Sequence, residues 1–283
     1  MSLMFAEIFF RIYYKIGFSS IFVSYKLNSL GFRDNQITLK KADDKIKRVM
    51  VLGDSYSYGY GVKYKNIFPV ILENKYKEYS DNPVEVLNFS KMGWNTKAEV
   101  DFFQNIGRMY EFDILILSFT FNDIEREPEK ISHPRLLSTF FQFTSLHTLI
   151  YQTHLLKKYF SYNFKDYSLA LKEFYKNKKS VEWKQLEGLI WETNNFCKEN
   201  NKLFVIFYFE LFYEDHESLR YIIKEEMRKL AEAHNMEFVS IKQMPLDYDV
   251  EGYQVHKFDK HPNSSAHQLA SDALTDYLKR NIN

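Results

Sequence analysis

From Lys47 onward, short apolar runs alternate with longer amphipathic stretches. Arg48-Val49-Met50-Val51-Leu52 reads as a buried strand ending at Gly53. Ile67 to Tyr79 predicts a helix whose apolar side is Ile67, Val70, Ile71 and Leu72. Val84 to Phe89 predicts a second strand and Thr96 to Tyr110 a second helix; Asp113 to Phe119 is a third strand, followed by polar Asn122 and Asp123. After a polar, proline-bearing linker (Glu125 to Pro134), Leu136 to Tyr175 is aromatic-rich and reads as helical. The remainder predicts a helix over Glu182 to Asn200, a fourth strand over Leu203 to Phe209 and a helix over Glu217 to His234. A fifth strand, Met236 to Ile241, and a last helix, Ala266 to Arg280, follow. Strands alternating with helices of this length imply an α/β fold with a mostly parallel central sheet covered on both faces. No internal repeat is present. The expected organisation is one three-layer, doubly wound domain over residues 28–283, with an N-terminal extension over 1–27 and a helical insertion at about 125–180.

Composition supports a folded domain with a sizeable core: 45% of the 283 residues are apolar, 18% aromatic and 27% charged. A formal net charge of +1, with Lys and Arg spread among Asp and Glu, gives no reason to expect a nucleic-acid partner. The single cysteine, Cys197, excludes an internal disulfide and reads as a small buried apolar group. Between Phe5 and Tyr25 the chain is rich in aromatic and aliphatic residues, but Glu7, Arg11 and Lys15 interrupt it. No run there reaches the roughly 18 to 20 apolar residues that span a bilayer. Glu7 also spoils the apolar region of a cleavable signal peptide. Two readings stand: a helix packed on the domain, or else an interfacial anchor or the remnant of a trimmed membrane segment, with peripheral membrane contact. The location is accordingly open between the cytoplasm and a membrane-associated or cell-envelope site.

In open parallel sheets, ligands bind beyond the carboxyl ends of the strands, so the residues after each strand carry the chemical information. They are Gly53-Asp54-Ser55 after the first strand, Ser90 to Asn95 after the second, and Phe121-Asn122-Asp123 after the third. Phe258 to Asn263, containing His261, precedes the last helix. Four loops thus bring Ser, Gly, Asn and His to one sheet edge, a set suited to acyl transfer. A serine hydroxyl needs a neighbouring base, and imidazole serves near neutral pH. The oxyanion that follows needs donors, for which the Ser55 N–H, the backbone at Gly93 and the Asn122 amide are candidates.

Four blocks, in order, carry a resemblance to a known family. Val51-Leu52-Gly53-Asp54-Ser55-Tyr56-Ser57-Tyr58-Gly59-Tyr60-Gly61-Val62 resembles the first block of the SGNH (GDSL-like) hydrolases. Leu87 to Thr96, containing Gly93, resembles the second; Asn122-Asp123 resembles the third; and Asp259-Lys260-His261-Pro262-Asn263, followed by His267, resembles the last. Upstream, Asn28-Ser29-Leu30-Gly31-Phe32-Arg33-Asp34 is similar to a segment often preceding the first block. The resemblance implies a flavodoxin-like sheet, Ser55 as nucleophile, His261 as base, and an oxyanion hole of Ser55, Gly93 and Asn122. It implies no cofactor. Two departures stand out. Tyr56 replaces the usual leucine, and the position three before the histidine, where the acid usually sits, is Phe258. Asp259, two before, is the expected acid; a Ser–His dyad or a carboxylate at Asp247 or Asp249 are the alternatives.

Other readings are weaker. Gly53-Asp54-Ser55 by itself equally fits a strand-to-helix turn in which Asp54 or Ser55 caps a helix. Gly59-x-Gly61 lacks the rest of a dinucleotide or P-loop fingerprint, and no Gly-x-Ser-x-Gly elbow occurs. His133, His147 and His154 show no metal-ligand spacing, so no metal is expected. His267 and the tryptophans Trp94, Trp183 and Trp191 read as structural, with only Trp94 placed near the site. Phe140 to Tyr162 is a packed inserted helix, or else a lid or partner surface. The expected function is cleavage of carboxylic esters, short acyl groups such as carbohydrate O-acetyl first. The partner is then a small-molecule or glycan acyl ester. The alternatives are an O-acyltransferase acting on cell-envelope glycans through the same residues, or a binding module of this fold that has lost turnover.

Overall fold

In the computed structural model, which describes residues 23, 25–79, 83–125, 168–210, 217–241, 250–256 and 259–281, the five apolar runs join in one sheet. The strands are β1 (Lys47–Gly53), β2 (Val84–Ser90), β3 (Ile114–Phe119), β4 (Leu203–Tyr208) and β5 (Glu237–Ser240). All pair in parallel, in the order β2-β1-β3-β4-β5. The order reverses between β1 and β3, and a crevice opens at such a switch point outside the strand ends.

Alternation along each strand divides the core in two. Met50, Leu52, Leu115, Leu117, Phe204 and Ile206 face one side, while Val49, Val51, Ile114, Ile116, Val205 and Phe207 face the other. Residues of this kind on both faces are what a doubly covered strand needs, each full burial contributing about 1.5–3 kcal/mol. The first face is covered by α3 (Thr96–Asn105) through Phe103, by a helix α4 over 168–176 through Leu171 and Tyr175, by α5 (Val181–Glu199) through Leu186 and Ile190, and by α6 (Glu217–Ala233) through Ile223 and Met227. The second is covered by α2 (Phe68–Tyr79) through Phe68, Leu72 and Tyr76, and by α7 (Ser264–Asn281) through Ala270, Leu274 and Leu278. A short α1 (Ser55–Tyr58) follows β1 directly.

Two features differ from the sequence expectation. The second helix stops at Asn105, where the Asn105 side chain donates to the Asp101 carbonyl at 2.7 Å and Ile106 leaves helical geometry at φ −132°; a 3₁₀ turn, Gly107–Met109, completes the stretch. A two-stranded antiparallel hairpin, β6 (Gln254–His256) with β7 (Asp259–Pro262), was not expected at all. Most of the expected helix or anchor over 1–27 and most of the insertion at 125–180, including Phe140 to Tyr162 and His133, His147 and His154, lie outside the described residues. Among the described residues no helix is long and apolar enough to cross a membrane.

Candidate active site

Gly53 ends β1 because there is no room for a side chain: a Cβ would lie 2.5 Å from Ser57 Oγ. Asp54 then caps α1, its Oδ1 accepting from the Tyr56 N–H at 2.8 Å, and Gly59 closes the turn in the left-handed region at φ +74°. The capping reading of Asp54 is therefore correct, and it leaves Ser55 as the first helical residue, half-buried at the strand edge. At that position its backbone N–H has no intrahelical acceptor and is available to a ligand. Tyr56 turns into the core, 4% exposed, as its replacement of leucine suggested.

His261 reaches Ser55 from 206 positions away in sequence, its Nε2 standing 3.0 Å from Ser55 Oγ. Its Nδ1 is 2.6 Å from Asp259 Oδ1, and its backbone N–H donates to the same oxygen at 3.2 Å. The two-residue offset works because both residues lie on strand β7, where positions i and i+2 share a face. Asp259 thus needs no tight turn to reach the ring. Asp247, Asp249 and Phe258 lie outside the described residues.

The other two candidates sit on neighbouring loops. Thr120 Oγ1 donates to Asn122 Oδ1 at 2.7 Å, which fixes the carboxamide and leaves its NH₂ end as the available donor. Beneath it, Asp123 accepts from the Thr120 N–H, pinning the turn after β3. Gly93 is exposed and left-handed at φ +77°, and a Cβ there would meet nothing within 4 Å. Backbone conformation rather than protein crowding therefore requires glycine at this position. Asn95 ties the second loop to the third: its Oδ1 caps α3 through Ala98 N–H at 3.0 Å, and its Nδ2 donates to the Glu125 carbonyl at 2.7 Å. Trp94 packs edge-on against Phe32 at 5.9 Å and tilted against Phe102 at 5.4 Å, at the border of the core.

Several contacts of this region carried no sequence signal. The Tyr60 ring lies 4.8 Å from the His261 ring, and the Tyr56 ring 5.8 Å. Behind Ser55, three carboxyls are buried together: Asp54, Asp123 and Glu99, the last with both oxygens unpartnered. Burial pushes the Asp54 carboxyl up to about 6, and burial with mutual repulsion pushes Asp123 and Glu99 well above the usual range. Glu99 occupies the buried stripe Thr96, Glu99, Val100 and Phe103 of α3 and is its one ionisable member. His267 is structural, as expected. Its Nδ1 accepts from the Phe68 N–H at 3.1 Å at the start of α2, and burial drives its pKa down to about 3. Cys197 is fully buried and its thiol is pushed up to about 12. Among the described residues no cluster of His, Cys, Asp or Glu is arranged to hold a metal.

No protein-family model matches the chain, and no curated protein matches its sequence. Its fold does match solved structures. A psychrotrophic esterase from Pseudoalteromonas sp., solved with monoethylphosphonate inhibition, aligns over 83% of this chain and 98% of its own at 15% identity, with a TM-score of 0.50. A protein assigned to the lipolytic G-D-S-L family from Desulfitobacterium hafniense aligns over 81% and 98% at 12% identity, TM-score 0.51. An acetylxylan esterase from Geobacillus stearothermophilus, solved as a catalytic mutant, aligns over 82% and 93% at 12% identity, TM-score 0.51. The chain has the α/β fold of the SGNH (GDSL-like) hydrolases.

Proposed function

We propose that this protein is a serine hydrolase that cleaves carboxylic esters through an acyl-Ser55 intermediate. The observation that carries the reading is the 3.0 Å contact between Ser55 Oγ and His261 Nε2, made by residues from opposite ends of the domain. Ser55 Oγ attacks the ester carbonyl carbon as His261 Nε2 takes its proton. Asp259 accepts a hydrogen bond from the Nδ1–H, fixing the tautomer in which Nε2 is a base, and stabilises the imidazolium that forms without taking its proton. The N–H groups of Ser55 and Gly93 and the NH₂ of Asn122 receive the developing oxyanion. His261 passes its proton to the departing alcohol; water, activated by the same nitrogen, then releases the acid.

Short acyl esters, O-acetyl groups on carbohydrates among them, are the proposed substrate class. The acetylxylan esterase of like fold supports that choice. The idea of a binding module that lost turnover drew on the offset of the acid, and the 2.6 Å approach of Asp259 to His261 supports turnover over that idea. An ester panel from acetyl to long acyl, run on wild type and Ser55→Ala with glycan acceptors present and absent, tests the proposal. Hydrolysis lost in Ser55→Ala is expected. Acyl transfer to glycan in place of hydrolysis would favour an O-acyltransferase. A folded wild type that neither turns over esters nor takes a fluorophosphonate at Ser55 would sink the reading.

A further inference from the structure

The segment Asn28 to Asp34 holds a buried cation whose position stability alone does not explain. Asn28 Oδ1 accepts from the N–H groups of Leu30 and Phe32, both at 3.0 Å, and Gly31 turns the chain at φ +79°. Phe32 is thereby driven into the core against Phe89 at 5.0 Å and Phe102 at 5.1 Å. Arg33, next in the chain, is 1% exposed. Its Nη1 donates to the carbonyls of Tyr58 at 2.9 Å and Gly59 at 2.6 Å, and its Nη2 to that of Val62 at 2.5 Å. The rings of Tyr25 and Tyr58 flank the guanidinium at 4.7 and 5.6 Å.

Among the described residues no carboxylate pairs with Arg33, and burial lowers its pKa. Its Nε is buried without a partner. A buried charge held this way is a poor source of stability, and an apolar side chain commonly does better. A planar fork that satisfies several carbonyls at fixed angles is something only arginine supplies. Those carbonyls all belong to one loop, 58–62, bent by left-handed Gly59 and Gly61. A Cβ at Gly59 would stand 2.1 Å from Ile67 Cγ2 and 3.1 Å from Arg33 Nη1, so Ile67 first and Arg33 beside it leave room only for glycine. The loop touches both reacting groups. The N–H groups of Gly59 and Tyr60 donate to the Ser55 carbonyl at 3.1 Å, and the Tyr60 ring lies 4.8 Å from the His261 ring. Tyr25 braces the far end, its hydroxyl accepting from the Gly61 N–H at 2.7 Å.

We propose that Arg33 is a positioning residue for the Ser55–His261 pair: by gripping three carbonyls of loop 58–62 it sets the Tyr60 ring that backs the imidazole. The inference rests on the roles given above to Ser55 and His261 and adds to them a residue that touches neither. Arg33→Lys, Tyr60→Ala and the double variant test it on an acetyl ester, in protein whose folding is checked by near-UV circular dichroism. Arg33→Lys is expected to lower kcat by about ten- to a hundredfold with KM within about threefold, because alignment rather than binding is lost. Tyr60→Ala should act in the same direction, and the double variant should be no slower than the worse single.

A second readout does not need turnover. The His261 Nδ1 proton, assigned by its loss in His261→Ala, should give a sharp downfield resonance in wild type that shifts or broadens in Arg33→Lys. A folded Arg33→Lys with wild-type kcat, additive losses in the double variant, or an unchanged His261 resonance would each overturn the proposal. Should the arginine variants not fold, Tyr25→Phe loosens the same loop from its other end, and the same losses are expected there; an unmoved kcat and resonance would overturn the proposal equally. If wild type shows no Ser55-dependent turnover, the hydrolase reading fails while the resonance still decides whether Arg33 holds His261.

Discussion

At the scale of single residues, Asp259 and Asn122 divide the proposed chemistry between tautomer and charge. An amide at 259 can donate to Nδ1 and so favours the tautomer whose Nε2 carries a proton and cannot accept one. Asp259→Asn is therefore expected to lower kcat on the order of 10²- to 10⁴-fold with the fold intact. Fluorophosphonate labelling of Ser55 should slow in parallel, because both need the same deprotonation. Asn122 acts later along the coordinate, once negative charge sits on the carbonyl oxygen. Asn122→Ala should cost about 10²- to 10³-fold in kcat and leave KM nearly unmoved. Steady-state kinetics showing a rise in KM with kcat preserved would assign Asn122 to ground-state binding instead. Ser55, Gly93 and Asn122 stand out as candidates in the sequence because each follows a strand whose end the apolar pattern marks, and His261 because its loop precedes the last helix. Arg33 and Tyr60 fall inside segments that carry the resemblance, but their contacts could not be read, since backbone carbonyls and ring faces leave no signature in the residues that meet them.

At the scale of elements, what was legible depended on burial. β1, β3 and β4 are covered on both faces, so their runs are continuously apolar and their positions read directly. The hairpin β6–β7 is short, polar and half-exposed, Gln-Val-His against Asp-Lys-His-Pro, and offers neither an apolar face nor a turn signal. The spacing of Asp259 departs from the family pattern, and without the hairpin nothing in the sequence supplied a physical reason why a two-residue offset would reach the ring. A hairpin of this size is marginal alone, and Asn263 is what fastens it. The Asn263 Nδ2 donates to the carbonyls of Gly252 at 2.8 Å and Gln254 at 3.0 Å, while its Oδ1 caps α7 through the N–H groups of Ser265 and Ala266. Asn263→Ala should lose both connections, about 1–2 kcal/mol in all. In hydrogen exchange the amides of 254–262 should then open well before those of β1 and β3. Uniform protection across hairpin and sheet in that variant would show that the hairpin has another anchor.

At the scale of the whole molecule, buried ionisable groups set how stability varies with pH. Burial raises Asp34 and Asp54 to about 6 from an ordinary value near 3.8, and raises Glu99 and Asp123 further. A raised carboxyl binds a proton more tightly folded than unfolded. Its contribution is fully present below the unfolded value and is lost as pH rises through the folded one. For one group displaced as far as Asp34, that loss is about 3 kcal/mol by pH 7. His267 has the opposite sign: depressed to about 3, it favours the folded state above its unfolded value of 6.5 and loses that contribution as pH falls. Between about pH 4 and 6 one imidazole therefore opposes several carboxyls, and the carboxyls prevail. Stability is expected to peak on the acid side of neutrality and to decline as pH rises, because the unfolded chain gives up carboxyl protons that burial makes the folded protein keep at Glu99 and Asp123. Glu99→Gln should remove part of that decline without adding a buried charge. Urea titrations of both proteins from pH 4.5 to 8 decide the matter. A wild type that grows steadily more stable toward pH 8, or a variant whose curve runs parallel to it, would mean that the buried carboxyls are solvated or paired in a way their burial does not indicate.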